Sequence, residues 1–211
     1  MSTNNISNIA PNIVFIVPYR NRPQHKYFFS TYMSNIIAKD NSYEIYFSHQ
    51  CDVRTFNRGA TKNIGFLAIK QKYPEHYKDM TFVFNDIDTI PFSDIFDYET
   101  KHGTVKHFYG FKYALGGIVS ITGRDFELTN GYPNFWGWGY EDNEIPKRVH
   151  ILGYDVTRLN EQYPLWHMNH DGPGQGKKAD NPHYEQNRLE CVKVETATKE
   201  WNQEYIKSWE I

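Results

Sequence analysis

The alternation of short apolar runs with longer amphipathic stretches is the feature that most restricts the fold of this chain. Buried strands are predicted at NIVFIVP (12–18), YEIYFSHQ (43–50) and MTFVFNDIDTIP (80–91). Between them, residues 23–39 and 57–72 carry apolar side chains at helical spacing. The order strand–helix–strand–helix–strand predicts a parallel sheet with right-handed crossovers, and therefore an α/β, Rossmann-like fold.

The second half of the chain has a less regular pattern. Three further elements are predicted there: strands at 105–111 and 114–122, and a short helix at 123–131. Another helix is predicted over EDNEIPKRVHILG (141–153), with acids at its start, Pro146 in its first turn and Gly153 as its stop. The whole is expected to form a single domain over residues 12–185, with a disordered tail at 1–11 and a helical tail at 186–211 packed on the domain.

Several classes of protein are disfavoured by charge and composition. The net charge of -2 and the pI near 6.5 give no strong field for binding nucleic acid. The polar start MSTNNISNIAPN has no apolar signal region, and no run of the chain is long and apolar enough to cross a membrane. Cys51 and Cys191 do not make a disulfide framework. We therefore expect a soluble chain in a reducing compartment, the cytoplasm.

The acidic pair in FVFNDIDTIP follows directly after a predicted buried strand. Ligands of open α/β sheets bind beyond the carboxyl ends of the strands, where Asp86 and Asp88 are expected to lie. Carboxylates two residues apart can hold one divalent cation, and hard oxygen ligands suit Mg²⁺ or Mn²⁺. The alternative is that both aspartates merely cap a turn.

Two histidines in WHMNH, His167 and His170, follow an apolar run. Together with Asp88 they would form a mixed nitrogen and oxygen site, which favours Mn²⁺ over Mg²⁺. This prediction requires two segments that are distant in sequence to meet in space. The alternative is a pair of loop histidines without a metal.

Arginines follow the first two predicted strands, in PYRNRP and TFNRGATKN. Arg20, Arg22 and Arg58 are expected on the same side of the sheet as Asp88, where guanidinium groups can bind phosphate. Phe56 could stack on a base. Solvated surface arginines are the alternative.

The stretch NFWGWGYEDNE (134–144) combines two tryptophans, two glycines and clustered acids. Asp142 falls at a predicted helix N-terminus, which keeps a carboxylate ionised and suits a general base for a hydroxyl group. Trp136 and Trp138 can present flat faces to a sugar, and the glycines permit close backbone approach. The alternative is a helix cap beside two core tryptophans.

In this order and spacing, the blocks PYRNR, FNRGATKNIGF, FVFNDIDTIP, LGGIVSIT and GYPNFWGWGYEDNEI closely resemble the β-1,4-galactosyltransferase family, glycosyltransferase family 7. The resemblance covers residues 12 to 171. It implies a GT-A fold and an inverting transfer of galactose from UDP-galactose to a hydroxyl of an acceptor sugar, with Mn²⁺ as cofactor and Mg²⁺ as a weaker substitute.

The resemblance also implies a role for each matching residue. Asp142 would be the catalytic base, and Asp88, His167 and His170 the metal ligands. The nucleotide-sugar would contact Arg20, Arg22, Phe56, Arg58, Asp86, Ile87, Gly117, Trp138 and Glu141. The acceptor would contact Trp138, Tyr140, Asp142 and Asn143.

Three residues depart from the family pattern. His167 replaces a methionine, which exchanges a soft metal ligand for an imidazole, and Asn143 replaces an aspartate that helps to hold the acceptor. Ala114 stands where members restricted to UDP-galactose often carry tyrosine, and the smaller side chain makes UDP-GalNAc an alternative donor. A Golgi lumen location, the family habit, is expected if the chain is a trimmed piece of a longer protein.

Two other classes of protein share part of this sequence pattern. An inactive glycan-binding module would keep the aromatic platform and lose turnover, but Asp88, His170 and Asp142 argue against it. A dinucleotide-binding oxidoreductase would share the strand and helix order, but PYRNRP carries no glycine-rich fingerprint after the first strand.

Overall fold

The computed structural model describes residues 10–37, 42–137 and 139–159, and the backbone of 165–167. The helices there are α1 (Pro23–Ile36), α2 (Arg58–Lys72), α3 (Gly123–Leu128) and α4 (Glu141–Ile151). The strands are β1 (Ile13–Tyr19), β2 (Tyr43–His49), β3 (Thr81–Asn85), β4 (Thr89–Pro91), β5 (Thr104–Tyr109), β6 (Ile118–Thr122), β7 (Asp155–Arg158) and β8 (Leu165–His167). The predicted helical tail at 186–211, residues 168–185 of the predicted domain and most of the predicted tail at 1–11 lie outside these residues.

The main sheet has six strands in the order β2-β1-β3-β6-β5-β7. Strands β2, β1 and β3 are parallel, which confirms the α/β arrangement predicted for the first half. Strand β6 then pairs antiparallel with both β3 and β5, while β5 and β7 are parallel, so the sheet as a whole is mixed. Apolar periodicity identifies a strand but not its direction, which depends on the connection.

Alternate residues of β1 divide the core into two layers. Val14 and Ile16 pack with Phe66 of α2 on one face of the sheet. Phe15 and Val17 pack with Phe29 of α1 on the other face. A strand covered on both faces is continuously apolar, as β1 is, because every side chain it carries is buried.

The carboxyl ends of the three parallel strands meet at one edge of the sheet, and the turn before β6 joins them. Because β6 runs antiparallel to β3, Ile118 at the start of β6 pairs with Asn85 at the end of β3. The amide of Asp86 donates to the carbonyl of Gly117 at 2.8 Å. This edge therefore brings the NDID turn beside the LGG turn, although the two are distant in sequence.

Pro146 lies inside α4, in the second turn, rather than in the first turn as the sequence predicted. Proline has no amide hydrogen, so the carbonyl of Asp142, four residues earlier, lacks its usual helical partner. That carbonyl instead accepts from the amide of Leu115 at 2.7 Å. The proline therefore allows the start of α4 to be tied to the LGG turn.

None of the helices in the described part of the chain combines the length and apolarity needed to cross a bilayer. Cys51 is an exposed free thiol.

Candidate active site

The N-termini of α2 and α4 converge at the edge of the sheet where the carboxyl ends of β1, β2 and β3 meet. We call this the site edge. Helix α2 has an ordinary cap, in which the side chain of Asn57 accepts from the amide of Ala60 at 2.9 Å. Helix α4 has no side-chain cap, and its N-cap residue Tyr140 has a φ of 74°. Left-handed backbone is a rare conformation for a bulky residue, so the start of α4 is strained.

The segment before α4 is fastened along α2. The side-chain amide of Asn63 donates to the carbonyl of Tyr132 at 2.8 Å and accepts from the amide of the same residue at 2.9 Å. Gly59 is needed for this approach, because a Cβ there would lie 2.1 Å from the carbonyl oxygen of Pro133. The FNRGATKN and YPNFWG blocks thus act as one packed unit.

Arg58 lies at the centre of a cluster of acids. Its Nη1 atom is 3.5 Å from Asp86, 3.6 Å from Glu141 and 3.8 Å from Asp142. The three acids come from two places in the sequence, the turn after β3 and the start of α4. The structure therefore unites Arg58, Asp86, Glu141 and Asp142, each of which the sequence predicts to be functional.

Lys62, one helical turn after Arg58, is a member of the cluster that sequence reasoning missed. Its Nζ donates to Asp142 Oδ1 at 3.0 Å and lies 3.8 Å from Asp86 Oδ1. It also lies 4.4 Å from the centre of the Tyr132 ring. The spacing of Arg58 and Lys62, four residues apart at the start of a helix, was the available signal.

Burial raises the pKa of Glu141 above its ordinary value, and the neighbouring Asp142 carboxylate adds to this effect. Burial alone would lower the pKa of Arg58 and of Lys62, but the surrounding carboxylates raise both above their usual values. Both cations therefore stay charged, and Glu141 is the acid of the cluster that is disfavoured in its ionised form.

Asp142 is held from three sides. Oδ1 binds Lys62, and Oδ2 faces Gly116 so closely that a Cβ on this glycine would lie 2.4 Å from it. The main-chain bond to Leu115 fixes the third side. The side chain of Asp142 is nevertheless 18% exposed, whereas that of Lys62 beneath it is 1% exposed. A ligand can therefore reach the carboxylate but not the ammonium group.

Asp88, two residues after Asp86, pairs with Arg22, and the distance from Arg22 Nη1 to Asp88 Oδ2 is 2.9 Å. Strand β4 begins at the next residue, Thr89, and pairs antiparallel with β8, which places Thr89 opposite His167. The two segments that a metal site requires do therefore meet. The side chain of His167, and all of His170, lie outside the described residues.

No group of three potential metal-ligating His, Cys, Asp or Glu side chains occurs within the described part of the chain. What the described residues show is that the backbone of His167 lies opposite Thr89, the residue after Asp88. A carboxylate together with imidazole is a donor set that Mn²⁺ accepts.

The remaining predicted site residues lie outside the charged cluster around Arg58. Arg20 donates to the carbonyl of Arg54, and the guanidinium of Arg54 lies 4.2 Å from the Trp136 ring. The Phe56 carbonyl accepts from Gly137 at 3.1 Å. Ile87 is buried in the apolar cluster around α1, so only its backbone can face a ligand. Asn143 is half-buried, and Trp138 lies outside the described residues.

The fold and the charged edge together define a GT-A type glycosyltransferase fold. The catalytic domain of Drosophila β-1,4-galactosyltransferase 7, solved with xylobiose, superposes with a TM-score of 0.66 at 24% identity, covering 76% of this chain and 72% of that one. A second structure of that enzyme, a mutant in complex with manganese, UDP-Gal and xylobiose, gives a TM-score of 0.63 at 23% identity.

Sequence comparison then identifies the family. Residues 7–101 match the family model for the N-terminal region of glycosyl transferase group 7. Residues 101–171 match the family model for the N-terminal domain of galactosyltransferase. The chain belongs to glycosyltransferase group 7.

Individual relatives agree with this assignment. β-1,4-Galactosyltransferase 1 of Bos taurus is 32% identical over 164 residues, which cover 72% of this chain. β-1,4-Galactosyltransferase 6 of Homo sapiens is 31% identical over 157 residues, which cover 69% of this chain. The match spans only 40% of the length of each of these two relatives.

Proposed function

We propose that this chain transfers galactose from UDP-galactose to a hydroxyl group of an acceptor sugar, with inversion at the anomeric carbon. The observation that carries the proposal is the position of Asp142. Its carboxylate lies at the start of α4, is partly exposed, and is held by Lys62 and by the close approach of Gly116. A fixed, accessible carboxylate at a helix N-terminus has the properties of a general base.

The proposed reaction is a single displacement. Asp142 accepts the proton of the acceptor hydroxyl, and the hydroxyl oxygen forms a bond to the anomeric carbon on the face opposite UDP. The bond between that carbon and the phosphate oxygen breaks, and UDP leaves with the electron pair. An α-linked donor thus gives a β-linked product, and the proton resides on Asp142 until solvent removes it.

The basic residues at the site edge fit the donor side of this reaction. Arg22 is the N-cap residue of α1 and Arg58 is the first residue of α2, and they lie beside Asp88 and Asp86 respectively. Asp88, with His167 and His170, would hold Mn²⁺, with Mg²⁺ as a weaker substitute. When bound, this cation supplies positive charge that stabilises the departing diphosphate.

Donor choice is proposed to depend on the turn that carries Ala114. This residue is buried, and its neighbour Leu115 donates to the Asp142 carbonyl at 2.7 Å. Its position therefore lies close to the base, and UDP-GalNAc stays the alternative donor. Tyr140 and Asn143, which flank Glu141 and Asp142, are the proposed acceptor contacts together with Trp138.

The test separates chemistry from binding. Asp142→Asn should lower Mn²⁺-dependent transfer by about 1,000-fold, because an amide cannot accept the proton. The affinity for UDP should change by less than about threefold, because UDP is proposed to contact other residues. Asp79→Asn, at an aspartate whose side chain is 82% exposed, is the matched control. Substantial transfer by Asp142→Asn would refute the assignment of the base.

A further inference from the structure

The burial of Lys62 is unusual for a lysine. Its side chain is 1% exposed, and charged side chains are almost never fully buried unless they are paired. It lies on α2 above the Tyr132 ring, with Asp142 Oδ1 at 3.0 Å and Asp86 Oδ1 at 3.8 Å. One ammonium group thus links the proposed base on α4 to the acidic turn after β3.

The position of Lys62 on its helix is unfavourable in itself. The N-terminus of a helix carries partial positive charge and favours acidic side chains. The first turn of α2 contains no acid, and Arg58 and Lys62 both face the cluster from this end of the helix. The attraction that holds two cations there must come from the carboxylates opposite them.

The balance of charge shows what Lys62 contributes. Two cations, Arg58 and Lys62, face the three carboxylates of Asp86, Glu141 and Asp142. Without Lys62 one cation would remain for three acids in a largely buried cluster. Neighbouring carboxylates with too little compensating charge take up a proton, and Asp142 would lose the partner nearest to it.

The groups that face Asp142 come from every element around it. Arg58 and Lys62 come from α2 and Glu141 from α4. Tyr132 and His107 also interact with it electrostatically, from the segment before α4 and from β5. Within this described set, Lys62 is the cation in direct hydrogen-bond contact with the Asp142 carboxylate.

We propose that Lys62 is a positioning residue for Asp142: it holds the carboxylate in one orientation and keeps a positive charge in direct contact with it, without touching substrate. This inference depends on the proposed role of Asp142 as the base. The ammonium lies beneath the carboxylate and is closed to ligands, so it acts on transfer through the carboxylates it faces, of which Asp142 is the nearest.

The test replaces Lys62 with neutral side chains and follows the pH profile. Lys62→Met should lower kcat by about 10- to 100-fold, because the carboxylate loses its fixed orientation. The acidic limb of the kcat/KM profile should move to higher pH by about one unit, because a carboxylate that has lost a cation is protonated more readily. The affinity for UDP with Mn²⁺ should change by less than about threefold.

Three further variants make the result specific. Lys62→Arg keeps the charge and should restore the position of the acidic limb. Lys62→Gln keeps a hydrogen-bond donor and removes the charge, so its acidic limb should shift like that of Lys62→Met. Lys70→Met removes a half-exposed lysine from the same helix and should leave both kcat and the profile unchanged.

The outcomes distinguish this proposal from the proposed function. If Asp142→Asn is inactive while Lys62→Met has wild-type kcat and an unshifted profile, the role of Lys62 is refuted and the base assignment stands. If Asp142→Asn keeps substantial transfer, the base assignment itself fails. If Lys62→Met and Lys62→Gln both fail to fold, Lys62 serves the stability of the core, which also overturns the proposal.

Discussion

The two helices that begin at the site are built in opposite ways. Helix α2 starts with the capping residue Asn57 and places two cations in the site, against the direction that the helix dipole favours. Helix α4 starts without a side-chain cap, behind the strained backbone of Tyr140, and places Glu141 and Asp142 where the dipole stabilises them. The first start is well capped with poorly placed charges, and the second is poorly capped with well placed charges.

This difference indicates how the site is held together. The capped start of α2 supplies a rigid support, whose cations are stabilised only by the acids of its partner. The start of α4 depends on that support, and on the Leu115 amide that replaces the bond lost at Pro146. Each helix start thus supplies an interaction that the other lacks. Removing a charge or a contact at either start should therefore lower stability or transfer by a measurable amount.

The largest effect is expected from the central cation. Arg58→Met would leave three largely buried carboxylates with one cation, and breaking a buried ion pair costs about 3–5 kcal/mol. Denaturant unfolding measures this loss. Arg124→Met removes an exposed pair with Asp79 and should cost less than about 1 kcal/mol. Equal denaturant midpoints for Arg58→Met and Arg124→Met would show that the charged cluster around Arg58 does not stabilise the fold.

A steric substitution probes the other side of Asp142. In Gly116→Ala the new Cβ would lie 2.4 Å from Asp142 Oδ2, so the carboxylate must move. A displacement of this size should lower transfer by about 100-fold. Transfer kinetics and thermal unfolding should be measured on the same sample. Wild-type kcat in a correctly folded Gly116→Ala protein would argue against the placement of Asp142.

The pH dependence of stability tests the charge on Glu141. Because burial and Asp142 raise its pKa in the folded state, Glu141 retains a proton that the unfolded chain has already lost. Its contribution to stability therefore falls as pH rises from its unfolded pKa, about 4.3, through its higher folded pKa.

Glu141→Gln cannot titrate, so this variant should gain stability relative to wild type as the pH is raised. Denaturant unfolding at about pH 5 and about pH 8 measures the change. A stability difference that does not vary with pH would contradict the raised pKa of Glu141.

The smallest effect is expected at the strained residue before α4. With a φ of 74° at Tyr140, glycine should be more stable than alanine at this position by about 1 kcal/mol. Tyr140→Gly and Tyr140→Ala remove the same ring, so the difference in thermal stability between them measures the cost of the left-handed backbone conformation. If alanine proves as stable as glycine, the left-handed conformation is not maintained in solution.

Much of the first half of the fold was predictable from periodicity. The apolar run of β1, the helical spacing of α2 and the acids after β3 each identify their element, and a parallel order follows from their alternation. The start of α4 at Glu141 was predicted from its acids and confirmed. These signals are local, so they can be recognised in the sequence without the tertiary structure.

The remaining features depend on contacts between distant segments. The antiparallel direction of β6 is set by its pairing with β3, and the pairing of Thr89 with His167 by the course of the chain between them. Lys62 was missed because its burial depends on Asp142 and Tyr132, which are distant from it in sequence. Pro146 is tolerated in the second turn of α4 because the Asp142 carbonyl finds a partner in the Leu115 amide, a tertiary bond that the sequence does not reveal.

The most direct test of the central claim is UDP release from UDP-galactose and from UDP-GalNAc, with and without Mn²⁺, in the presence of simple acceptor sugars. A transferase should release UDP only with Mn²⁺ and faster when an acceptor is present, and selective use of UDP-GalNAc would implicate the space beside Ala114. The account predicts this acceptor-dependent release for the wild-type chain and its loss in Asp142→Asn. Binding of sugars with no release of UDP under any combination would identify an inactive glycan-binding module and contradict the account.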